Sequence, residues 1–146
     1  MISDERTTFA RNVALNTGAP GAYVIGDAID TGIDADAGGS DLYLVIAVRE
    51  TAASSGAATL AIRLMSASTA SLNPATATAH GESPTLALAA LVAGRAIWTT
   101  PLPRGAYRRW IQLVQVTGGA AFTGGKVSAF LTDTPSAWRA LADASN

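Results

Sequence analysis

The sequence predicts an all-β protein, an antiparallel sandwich or barrel. Three observations carry that expectation. Apolar residues alternate with a period of two in several short runs, most cleanly in DLYLVIAVRE and ATLAIRLMSAS. Gly, Pro, Asn and Asp interrupt the chain between those runs. Sustained helical spacing is almost absent, which argues against mixed helix–strand architectures. A double-layered or closed sheet also removes the exposed edges that so many apolar strands would create.

Composition agrees with one folded domain. The chain has 146 residues, 49 % apolar and 14 % charged, enough for a real core and too weakly charged for disorder. No internal repeat or domain boundary is visible. The net charge of −1 supplies no field toward nucleic acid or an anionic membrane. All basic residues but Lys126 are Arg, which suits planar, bidentate contacts at an interface. A GC-rich genome accounts for the same bias. The lack of cysteine excludes disulfides, thiolate catalysis and Cys-bound metals. MISDERTTFARN carries alternating charge without an apolar h-region, so no signal peptide is expected. The run Thr85–Trp98 is interrupted by Gly94 and Arg95 and is too short to cross a bilayer.

In chain order, residues 1–20 read as an extended N-terminal arm, either an edge strand or a segment lying on a neighbour. Ala22–Ile29 is a short strand, and Asp30–Asp41 is a turn-rich loop. In Asp41–Glu50, Leu42, Leu44, Ile46 and Val48 share one face while Tyr43, Val45 and Ala47 share the other. Apolar residues on both faces mark a central strand. Ala58–Ser68 alternates again, with Leu60, Ile62 and Leu64 inward and Arg63 outward. Thr69–Pro84 is a long polar loop, of a length that needs a packing or functional reason. Thr85–Leu91 and Arg95–Thr100 are two further strands; a helix over Pro84–Ala93 is the rival for the first. Tyr107–Val116 and Lys126–Thr132 are expected to form a hairpin closed by a glycine-rich turn. The short C-terminal tail, 134–146, has room for a turn or two of helix capped by Ser136. The expected core is Leu42, Leu44, Ile46, Leu60, Ile62, Leu64, Ile111, Leu113 and Val127.

The chemical inventory is thin. His80 is the single histidine; a general base beside a serine is conceivable, but no nucleophile elbow or oxyanion motif accompanies it. An exposed loop histidine is the reading adopted, and a zinc site is not expected. Counting a calcium loop from Asp34 places Gly39 correctly at the sixth position, but the twelfth is Val45 where a bidentate Glu is required. A different calcium site built from Asp30, Asp34, Asp36 or Asp41 competes with a solvated acidic turn. Arg95, Arg104, Arg108 and Arg109 interleave with Tyr107 and Trp110, but the segment is brief and the chain slightly acidic, so nucleic acid is not expected. Residues 27–41 hold Asp without a base and 95–109 hold Arg without an acid. That segregation fits either subunit-to-subunit contact or two solvated loops. Catalytic, cofactor-binding and metal-binding residues are therefore all expected to be absent.

The succession GSDLYLVIAV, ATLAIRLMSAS and LVAGRAIWTTPLPRGAYRRWIQLVQVTGGAAFTGGKVSAFLTD resembles the capsid cement (decoration) proteins of tailed phages with Bordetella-phage-like heads. The most specific part runs from Leu91 to Asp133, and the resemblance covers about Asp30 to Asp133. It implies a jelly-roll β-sandwich over 21–133 that sits on the outer surface of the virion capsid. There it would clamp adjacent major capsid protein subunits as an oligomer, a dimer first and a trimer second, with no catalysis, cofactor, nucleic acid or membrane. The competing function is a receptor- or glycan-binding sandwich of a tail fibre or spike. Apolar anchors in arm and tail, with Arg6 and Arg11 around them, are expected at the capsid or subunit interface. The expected interface residues are Ile2, Arg6, Phe9, Arg11, Arg104, Arg108, Arg109 and Trp138.

Overall fold

The structure, a computed structural model, describes residues 8–30, 35–37, 43–101 and 105–132. Two antiparallel sheets enclose one core. The first carries, in spatial order, β1 (Thr8–Ala14), β11 (Phe122–Thr132), β4 (Tyr43–Ser54) and β8 (Ala96–Pro101). The second carries β2 (Gly21–Asp30), β10 (Trp110–Gly118), β5 (Thr59–Ala67) and β6 (Thr78–Glu82), with the short β7 (Leu86–Ala87) also paired to β5. A separate ribbon pairs β3 (Ala35–Ala37) with β9 (Gly105–Tyr107).

The two-residue period builds the core. Leu44, Ile46 and Val48 of β4 and Val127 and Ala129 of β11 face Leu60, Ile62 and Leu64 of β5 and Ile111 and Leu113 of β10 in one buried cluster. Every expected core residue is there except Leu42, which lies outside the described residues. Val45 and Ala47 are buried as well, as the two-sided apolar pattern of a central strand requires. On the outer face of the second sheet, Met65 and Val114 pack against Leu72. Leu72 comes from the long loop after β5, so the length of that loop has a packing reason.

Several elements differ from expectation. The hairpin of β10 with β11 does not form: β10 pairs with β2 and β5, whereas β11 pairs with β1 and β4. Both strands are largely buried, and each reaches two neighbours only by lying inside a different sheet. Their glycine-rich connection is a corner that carries the chain across the sandwich. Gly119 has φ +76°, and a Cβ there would stand 2.4 Å from the Ala57 carbonyl oxygen. Ala57 belongs to the neighbouring crossover from β4 to β5, and Ser54 Oγ donates to the Ala121 carbonyl at 2.7 Å. Two crossovers thus run side by side, too close for a side chain at the turn.

The segment Thr85–Leu91 forms neither a full strand nor an α-helix. It gives β7 and then a single 3₁₀ turn over Leu88–Ala90, because only Leu86 and Ala87 find partners on β5. The loop Thr69–Pro84 contains β6, which polar TAHGE does not advertise. Residues 8–14 of the expected arm form the edge strand β1 on β11. A bulge at Asn12, with φ +57° and its amide donating to Ser128 Oγ at 2.9 Å, bends β1 along the sheet. Residues 1–7 and the tail 134–146 lie outside the described residues.

Candidate interaction site

The ribbon of β3 and β9 joins the two stretches of opposite charge. The ladder sets Asp36 opposite Ala106, two residues before Arg108. The acidic and basic segments therefore meet within one chain, and no second subunit is needed to bring them together.

The ribbon is fastened to the second sheet through His80, which lies on edge strand β6 and not in a free loop. Ser66, on the paired strand β5, is fully buried. Its Oγ accepts the backbone N–H of Arg108 at 2.9 Å and lies 2.7 Å from His80 Nε2. In the tautomer protonated at Nδ1, Nε2 accepts the Ser66 hydroxyl proton. The His80 ring stacks on Tyr107 of β9 with centroids 3.9 Å apart and planes 16° from parallel. Burial holds the His80 pKa below its usual 6.5 and pushes the Tyr107 phenol up to about 12.

This arrangement places a serine beside a histidine, but not as a nucleophile at work. Ser66 Oγ is enclosed and already accepts an amide hydrogen. A productive nucleophile needs an open approach and donors aimed at the developing oxyanion. The triad is better described as a polar rivet among β5, β6 and β9.

A second polar fastening was missed in the sequence. Gln115 is fully buried. Its Oε1 accepts the Asn16 amide at 2.8 Å, and its Nε2 donates to the Asn16 carbonyl at 3.1 Å and to Thr117 Oγ1 at 2.8 Å. The signal was available: Ile111, Leu113 and Gln115 share the inward register of β10. A polar side chain there has to satisfy a buried backbone group.

Of the expected interface residues, Phe9, Arg11, Arg108 and Arg109 are among the described residues. Phe9 has its ring in the protein's own core at 0 % exposure, so it is not presented to a partner. Its neighbour Ala10 is buried as well, because the register of β1 shifts on both sides of Ala10 and breaks the strand's alternation. Arg11 is exposed on β1, and Arg108 and Arg109 are exposed between β9 and β10. The Arg109 guanidinium stands 5.3 Å from the centroid of the Trp110 ring, within cation–π range. Ile2, Arg6, Arg104 and Trp138 lie outside the described residues, as do Asp34 and Asp41 of the considered calcium site. Among the described residues no group of three or more His, Cys, Asp or Glu is placed to hold a metal. No helix among them is long and apolar enough to cross a membrane.

The described surface also has concavities. A polar one of about 210 Å³ adjoins the rivet and is lined by Ser66, Ser71, Asn73, Thr78 and Arg108. An open, mostly apolar cleft of about 620 Å³ is lined by Ala52, Ala57, Ala58, Leu88 and Val92. Val92, 43 % exposed, is the only large hydrophobic side chain exposed among the described residues. No Trp, Tyr or Phe among them is exposed.

Compared with known proteins, residues 16–131 match the family model described as Bbp16. The matched range begins just after β1 and takes in the ribbon, the whole second sheet and the other three strands of the first, up to the penultimate residue of β11. No curated protein matches the chain.

Proposed function

The chain belongs to the Bbp16 family, a family of Bordetella phage proteins, and from that premise we propose that it is a capsid cement protein. It binds the outer surface of the phage head and clamps adjacent major capsid protein subunits against the pressure of packaged DNA. It acts as a homo-oligomer, a dimer across two-fold positions being favoured over a trimer. It carries out no catalysis and needs no cofactor. The observation that carries the reading is the family match over 16–131, which covers the sandwich apart from its edge strand β1.

The sandwich is read as a jelly roll. Strand order supports this: β1 and β2, β4 and β5, and β10 and β11 are successive pairs whose members lie in opposite sheets. Placing each pair side by side across the two layers is what a wound double-sheet fold does.

The physics of a clamp favours such a body. A rigid protein that binds the assembled lattice better than separated subunits adds its binding free energy to each opening event. Several modest contacts per oligomer multiply through effective concentration. Few rotamer-rich side chains and an enclosed core keep the entropy lost on docking small.

The alternative, a receptor- or glycan-binding module of a fibre or spike, draws less support. Sugar-binding surfaces use aromatic faces, and the tryptophans of the described sandwich, Trp98 and Trp110, are half-buried. Copy number per virion separates the two functions. Hundreds of copies on the head, with purified protein rebinding stripped heads and raising their rupture temperature, are expected. A handful of copies at the tail overturns the cement reading.

A further inference from the structure

The β3–β9 ribbon meets the sandwich through Tyr107, which is buried in the core cluster, and through polar contacts gathered at Ser66. We propose that Ser66, His80 and Tyr107 form an acid-released latch that holds the β3–β9 ribbon against the second sheet and lets go when His80 is protonated. The latch is independent of the capsid role and is tested without a partner.

The hydrogen count at Ser66 is the basis. A backbone N–H only donates, so Ser66 Oγ accepts from Arg108. Among the described hydrogen bonds the remaining Ser66 proton has His80 Nε2, at 2.7 Å, as its acceptor when the imidazole carries its own proton on Nδ1. Protonating the imidazole turns that acceptor into a second donor aimed at the same oxygen. The Ser66 hydroxyl must then swing away from Nε2 and, fully buried, loses that acceptor. A buried hydroxyl without an acceptor is costly. The amide of Arg108, the first residue past β9, hangs on the same oxygen, so the disturbance reaches the ribbon directly.

The surrounding charges do not reverse the sign. On β6, Glu82 lies two residues from His80, but Arg63 of β5 is 3.3 Å away and answers its charge. From the ribbon, Tyr107 presents a neutral ring. Arg108 adds a like charge beside it, and Asp36 sits across the ladder from Ala106. The stacked Tyr107 face offers an imidazolium some cation–π stabilisation, which burial outweighs in holding the His80 pKa down.

The sign follows from linkage. A histidine whose folded pKa lies below its unfolded value contributes stability that is complete above about pH 6.5. That stability is lost as pH falls from there toward the folded pKa.

The single histidine makes the test direct, because one imidazole signal titrates in the proton spectrum. His80 is expected to titrate below pH 6.5. Over that transition the protection factor of the Arg108 amide should fall at least tenfold, while that of the Leu113 amide in the core stays level. The substitution His80→Gln keeps an acceptor for Ser66 without a titrating group, and should leave Arg108 protection independent of pH. A His80 midpoint at or above 6.5, Arg108 protection unchanged through the titration, or the same pH response in His80→Gln overturns the latch.

Discussion

Single residues in this protein are strained or buried for reasons that can be measured. Leu44 is at 0 % exposure between the sheets, and Leu44→Ala removes packing that the surrounding strands cannot collapse to replace. A loss of about 2–5 kcal/mol is expected in urea unfolding. Gly119 is a different case, since its cost is conformational. At φ +76° with a carbonyl oxygen 2.4 Å from where a Cβ would stand, Gly119→Ala combines a disfavoured backbone with a clash. The expected loss is at least about 1–2 kcal/mol, read from the same unfolding curves. Surface ion pairs are minor by comparison: Lys126 and Glu50, at 3.8 Å and about half exposed, contribute about 0–1 kcal/mol.

At the scale of elements, β1 decides what a deletion of the N-terminus means. Removing Met1–Ala10 deletes Phe9 and Ala10, both buried, and the ladder pairs Thr8 to Phe130 and Ala10 to Ala129. Burying a phenylalanine is worth about 1.5–3 kcal/mol, so the melting temperature should drop by at least ~5 °C in calorimetry. Removing only Met1–Thr7 leaves β1 whole and should change the melting temperature little. Head occupancy of that shorter deletion then reports on the docking role proposed for Ile2 and Arg6, free of any folding defect. Normal occupancy would remove the arm from the clamp.

For the whole molecule, the cement reading requires that the sandwich associate. Native mass spectrometry of the purified protein is expected to show a symmetric oligomer, the dimer before the trimer. A monomer in solution together with isolated single copies in a head reconstruction would refute it. Far-UV circular dichroism should be dominated by strand signal, in keeping with two sheets and one turn of 3₁₀ helix among the described residues.

By itself the sequence determined that the chain is all-β and which alternating side chains of β4, β5 and β10 enter its core. Alternation is a local property: Leu60, Ile62 and Leu64 must share a face of any strand that contains them. The same locality made β4 readable as a central strand and left polar β6 unseen. Only the tertiary structure decided which strands pair. The edge of a strand presents the same amide and carbonyl groups whatever its side chains, so nothing in Tyr107–Val116 or Phe122–Thr132 says whether the turn between them closes a hairpin or crosses the core. Burial on both sheets chose the crossing. The tertiary structure likewise turned Phe9 inward, brought Ser66 under His80 and set Gln115 against Asn16. Each of those contacts joins residues distant in the chain, and long-range pairing is selected by the free energy of the whole core, not by any one segment.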